Sequence, residues 1–171
     1  MKPHKNSYCV IADKVYAGEY AGDLYNTQAK VAEICNFGIT HFIDLTEEGE
    51  LKPYAQYLNG NTVHRRFPIK DVSVPKSFDE VYELMEYIDG IISDSDNKVY
   101  IHCWGGVGRT GVIVACLYEY LGEDAKTAIV HLRKSFEACP KSAYRHTPET
   151  KEQLEFILGF GEFLKERNKN K

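Results

Sequence analysis

Apolar and polar residues alternate along this chain with two different periods. Val10-Ile11-Ala12 and Val15-Tyr16-Ala17 flank Asp13-Lys14, a pattern that predicts a small hairpin. Thr27 to Phe37 reads as a helix stopped by Gly38. Ile39 to Leu45 follows at once as a strand, and Thr62 to Pro68 reads as another that runs into a loop. The clearest helical pattern begins near Ser77. Val81, Leu84, Met85, Ile88, Ile91 and Ile92 fall on one stripe, and Ser77 with Glu80 makes a capping-box pattern. Lys98 to His102 is a β-branched and aromatic run, read as a buried strand. Thr110 to Leu121 is apolar enough to predict a helix almost wholly inside, ended by Gly122. Asp124 caps the next helix, with Ala128, Ile129, Leu132 and Phe136 inward, and a last helix is expected from about Pro148 to Lys165. Strands alternating with helices predict an α/β layered domain whose central sheet is mostly parallel and flanked by helices.

Composition narrows the partners more than the fold. The 171 residues suit one domain, with about 1–7 and 166–171 expected to fray. A content of 43% hydrophobic and 27% charged residues argues against disorder. Lys and Arg number 21 against 25 Asp and Glu, a formal net charge of −4, so no nucleic-acid footprint is expected. The five cysteines, Cys9, Cys35, Cys103, Cys116 and Cys139, are odd in number and form no C-x-x-C pair. That excludes a complete disulfide framework and disfavours a zinc ribbon. The start carries no apolar leader, and no apolar run approaches the ~20 residues that cross a bilayer. A monomer in the reducing cytoplasm, without membrane insertion, is the expectation. The histidines show no ligand spacing, so neither metal nor cofactor is expected.

The chemistry lies in His102-Cys103-Trp104-Gly105-Gly106-Val107-Gly108-Arg109-Thr110-Gly111. The segment leaves a strand and feeds a helix N-terminus. Its glycines let the backbone curl until its N–H groups converge, and such a nest at a positive helix end binds an oxyanion such as phosphate. The planar fork of Arg109 can grip two oxygens of that anion. At the other end of the loop, Cys103 faces the same dipoles, a setting that lowers a cysteine pKa to roughly 3.5–7.5. A thiolate beneath a bound phosphate suits attack on phosphorus and a covalent phosphocysteine. Gly106-x-Gly108-x-x-Gly111 also matches the dinucleotide fingerprint. The acidic residues that follow, Glu119, Glu123 and Asp124, do not sit at the end of a second strand, and Arg109 would crowd a pyrophosphate.

This segment resembles the signature of the cysteine-dependent protein tyrosine phosphatases, and the chain length is similar to their compact dual-specificity branch. The resemblance implies a phosphatase acting on phosphorylated protein or peptide. Cys103 would be the nucleophile, and Trp104, Gly105, Gly106, Val107, Gly108 and Arg109 would hold the substrate phosphate. Thr110 would help the thiolate leave phosphocysteine, and His102 would order the loop. Phe67 to Pro75 looks like the general-acid loop, with Asp71 as the acid that protonates the leaving oxygen. Asp44, at a strand end, competes for that role. His146 to Gln153 resembles a segment that positions hydrolytic water in some compact members, through Gln153 and Glu149. Their alternative is an ordinary helix first turn. None of Trp104, Gly105, Gly106, Val107 or Gly108 is basic, which favours a phosphoprotein over a polyphosphorylated lipid or inositol, with Arg65 and Arg66 as outside sources of charge. A catalytically idle phosphate-binding module, and a phosphatase of phosphoinositides or other small phosphates, are the competing functions.

Overall fold

The computed structural model describes residues 1–171. Five strands form one sheet in the order β1-β2-β5-β3-β4. They are β1 (Ser7–Ile11), β2 (Val15–Gly18), β3 (His41–Asp44), β4 (Val63–Arg66) and β5 (Val99–His102). Only β1 runs antiparallel to its neighbour; β2, β5, β3 and β4 are mutually parallel. The helices are α1 (Thr27–Asn36), α2 (Phe78–Ile92), α3 (Gly108–Tyr120), α4 (Ala125–Phe136) and α5 (Lys151–Lys169).

The strand period of two sorts side chains into two cores. Val15, Ala17, Ile43, Val99 and Ile101 join a large core with α2, α3, α4 and α5. The intervening Tyr16, Phe42 and Tyr100 turn to a smaller core with Val31 and Ile34 of α1 and with Tyr54. The central strand β5 is buried on both faces. α3 is buried along nearly its whole length, because it lies between the sheet and the other helices. Truncating a large side chain such as Ile101 or Leu117 in this core is a change that costs about 2–5 kcal/mol. The rigid β5–α3 unit is what carries the loop at 103–107.

Several boundaries differ from the sequence reading. α3 starts at Gly108 rather than Thr110, so Arg109 and Thr110 lie in its first turn. α5 starts at Lys151 rather than Pro148. Its cap is Thr150, whose hydroxyl accepts from Gln153 N while the Gln153 side chain returns to Thr150 N, a full capping box. The first residues, expected to fray, are packed. Lys2 Nζ donates to Ala138 O at 2.7 Å, His4 and Ser7 are buried, and His4 Nε2 pairs with Tyr100 Oη at 2.6 Å. At the other end α5 continues helical to Lys169, with its last turns exposed.

Candidate active site

The loop after β5 turns its carbonyls outward and its amides inward. Tyr20 N donates to Trp104 O at 2.9 Å, Lys141 Nζ to Gly105 O at 2.9 Å, and Thr147 Oγ1 to Val107 O at 2.7 Å. With the oxygens held outside, Gly106 N is free to donate to Cys103 Sγ at 3.2 Å. Gly106 adopts φ +75°, and a Cβ there would collide with the backbone of Gly18, so the loop needs glycine at this point. No side chain caps α3. Its first amides are therefore unclaimed by the protein, the arrangement that suits an oxyanion.

His102 orders the loop from behind. Its Nδ1 lies 2.9 Å from Cys103 O, which can only accept, so Nδ1 carries the proton and Nε2 accepts from Tyr54 Oη at 2.5 Å. Burial lowers the pKa of His102, which favours this neutral form.

Arg109 is 2% exposed and is held through both of its Nη atoms. Its Nη1 and Nη2 meet the two oxygens of Glu50 at 2.8 and 2.7 Å, and Nη1 also donates to Ile69 O at 2.9 Å. Asp71 Oδ1 lies 3.2 Å from Nη2. Burial opposes the guanidinium charge, but Glu50, with Cys103 and Asp71, outweighs it and raises the pKa further. In return Arg109 holds the Glu50 carboxyl below its ordinary value. The sequence reading had no place for Glu50. Its local signal is only one more acid in Glu47-Glu48-Gly49-Glu50, and its role depends on an arginine 59 residues away.

One cleft of about 380 Å³ gathers most of the residues singled out from sequence: Asp71, Cys103, Trp104, Gly105, Gly108, Arg109, Glu149 and Gln153. Trp104, 60% exposed, lines the cleft, as does the exposed Val72. The Val107 side chain is buried in the large core, and the residue does not line the cleft. Thr110 Oγ1 is buried without a hydrogen-bond partner. Val72 has φ 60°, a left-handed conformation that a β-branched residue rarely adopts, directly beside Asp71. Asp44 is elsewhere. It accepts from Thr46 and pairs with His64 and Arg66, and it lines a separate small cavity with Tyr20 and Tyr54. Arg66 is thereby spent on Asp44, while Arg65 lies over the Tyr87 ring.

The family described as "Tc-R-P: Polymorphic toxin system, DSP-PTPase phosphatase" matches residues 17–123, well over half of the chain. This chain belongs to the cysteine-dependent protein tyrosine phosphatases, in their compact dual-specificity-like branch. Protein 197R of Invertebrate iridescent virus 6, which bears the name of a tyrosine phosphatase, is 30% identical over 139 residues. The match covers 78% of this chain and 47% of that protein. Cyclin-dependent kinase inhibitor 3 of Sus scrofa is 30% identical over 150 residues, covering 81% of this chain and 70% of that protein. The matched region is about half the length of the iridescent virus relative. Among solved structures, a mutant form of Tk-PTP superposes with a TM-score of 0.76 at 22% identity, over 94% of this chain and 97% of that one.

Within this phosphatase fold, Gln153 lines the Cys103 cleft, and its amide is engaged in the helix first turn that was its alternative reading. Its Oε1 accepts from Glu149 N and Thr150 N at 2.9 and 3.1 Å, and its Nε2 donates to Ser73 O at 3.1 Å. The amide thus serves the α5 cap and ties α5 to the loop that carries Asp71. Glu149 Oε1 accepts from Arg145 Nη2 at 3.1 Å. No helix is long and apolar enough to cross a membrane.

Proposed function

We propose that this phosphatase hydrolyses phosphomonoesters through a phosphocysteine intermediate, and that its preferred substrate is phosphotyrosine in protein. Cys103 attacks phosphorus, so that an S–P bond forms as the P–O bond to the leaving group breaks. Asp71 gives its proton to the departing oxygen. Water then attacks phosphocysteine, Asp71 takes a proton back, and inorganic phosphate leaves. The loop amides and Arg109 meet the charge on the equatorial oxygens in both steps. Thr110 is assigned to the thiolate as it departs, which would give its unpartnered hydroxyl a use. Gln153 is assigned to holding the Asp71 loop, and Glu149 to orienting Arg145.

The observation that carries this reading is the cleft itself: Cys103 Sγ against an inward amide, with Arg109 and Asp71 3.2 Å apart in the same cleft. Two further features support a monophosphorylated protein. Val72 and Trp104 offer an apolar lining for an aromatic ring. The basic side chains at the mouth are already paired, Lys141 with Glu19 and Arg145 with Glu149, which leaves little free charge for a second phosphate.

The test compares kcat/KM for tyrosine phosphopeptides, serine phosphopeptides, phosphoinositides and nucleotides. Phosphotyrosine should lead, and a phosphoinositide ahead by tenfold would reassign the substrate. Asp71→Asn should lose about 10²-fold on a phenyl phosphate, with the fall in rate at high pH removed. An unchanged pH profile would move the acid role elsewhere.

A further inference from the structure

The peptide between Gly105 and Gly106 is gripped from both sides. Its carbonyl accepts from Lys141 Nζ at 2.9 Å, and its N–H donates to Cys103 Sγ at 3.2 Å. A trans peptide is planar, and its C=O and N–H point in opposite directions. Holding the oxygen outward therefore holds the amide inward. Both flanking residues are glycine, so no Cβ on either side resists rotation of this plane. Turned over, it would present a carbonyl oxygen to the sulfur and to any bound anion, replacing a donor with an acceptor. The neighbouring carbonyls, Trp104 O and Val107 O, are held by a backbone amide and by a buried threonine. Gly105 O depends on one long, flexible side chain.

That side chain is itself restrained. Lys141 sits on the short 3-10 turn Pro140–Ala143, and its Nζ lies 2.8 Å from Glu19 Oε2. The other Glu19 oxygen takes Lys30 Nζ at 2.9 Å, and Asn6 Nδ2 donates to Oε2 at 3.1 Å. Burial pushes the Glu19 carboxyl up, but Lys141 and Lys30 outweigh it and hold the pKa down to about 2. The carboxylate side of the clamp stays charged throughout the neutral range.

We propose that Lys141, locked by Glu19, is a positioning residue that keeps the Gly105–Gly106 peptide in the one orientation the anion site can use. The proposal rests on the reading of Cys103 as nucleophile. Lys141 acts through the peptide and touches no reacting atom.

Lys141→Met removes the donor and keeps the length of the side chain, whereas Lys141→Arg retains a donor. With an aryl phosphate, Lys141→Met should lower kcat/KM by about 10–100-fold, short of the loss seen when an oxyanion donor is deleted outright. Inhibition by inorganic phosphate should weaken in parallel. Lys141→Arg should restore most of each loss, and Glu19→Gln should show a smaller loss in the same direction with the fold intact. Lys141→Met within twofold of the parent in both kcat/KM and phosphate inhibition overturns the clamp. So does reduced turnover with unchanged phosphate inhibition. If Lys141→Met does not fold, Glu19→Gln decides by the same readings. Cys103→Ser separates the two levels. Hydrolysis surviving in Cys103→Ser defeats the nucleophile reading itself, whereas an inactive Cys103→Ser beside a normal Lys141→Met defeats the clamp alone.

Discussion

The two ends of α3 both bury charge-bearing side chains, and they treat them in opposite ways. At the N-terminal end Arg109 is 2% exposed, paired with both oxygens of Glu50 and close to Asp71. At the C-terminal end Glu119 is 4% exposed, and neither of its oxygens has a hydrogen-bond partner. Burial, with Asp124 adding to it, pushes the Glu119 carboxyl up to about 8. A buried group with good partners stays ionised, while one without them gives up its charge. Cleft size does not mark the site. The cleft at the Glu119 end, about 650 Å³, is larger than the one at Cys103. The site is marked by burial that leaves charge in place and amides unclaimed.

Three substitutions probe that contrast, in falling order of effect. Arg109→Lys keeps the charge but loses the two-pronged grip. It should lower kcat/KM by about 10²–10³-fold, since a point charge cannot replace a planar fork. A tenfold loss or less would mean that charge alone suffices at this end. Glu50→Gln leaves Arg109 buried with a neutral partner. Chemical denaturation should show a loss of about 1–3 kcal/mol, with kcat/KM down roughly tenfold. Unchanged stability would show that Glu50 is a bystander.

The smallest effect on activity is expected at the far end, where the change in stability appears only as a function of pH. The folded value of Glu119 lies above its ordinary value of 4.5, so the folded chain retains a proton that the unfolded chain releases. Stability from this group is full below about 4.5 and is lost as pH rises towards about 8. Glu119→Gln cannot ionise, so its stability should fall less than the parent's between pH 5 and pH 9 in urea titrations. Parallel curves would show that Glu119 is not held neutral by the fold.

Local features were legible in the sequence, and distant ones were not. β5, the glycine-rich loop and α3 are consecutive, so apolar run, glycines and helix could be read as one unit. The sequence masks the first two residues of α3, because Gly108 is a poor helix former and no side chain caps the helix. Pro148 suits a first helical turn, but the capping box Thr150-x-x-Gln153 is what starts α5. The packed N-terminus depends on His4 meeting Tyr100, 96 residues away. Glu50 and Lys141 reach the loop across 59 and 36 residues. Nothing in their own neighbourhoods distinguishes them from solvated surface charges.

The central claim is that Cys103 carries the phosphoryl group. Its most direct test is an acid-quenched reaction with an aryl phosphate, followed by peptide mass analysis. One phosphoryl group should be found on the peptide containing Cys103, and none on that peptide in Cys103→Ser. Turnover at the full rate with no phosphorylated Cys103 peptide, or the same rate in Cys103→Ser, would contradict it.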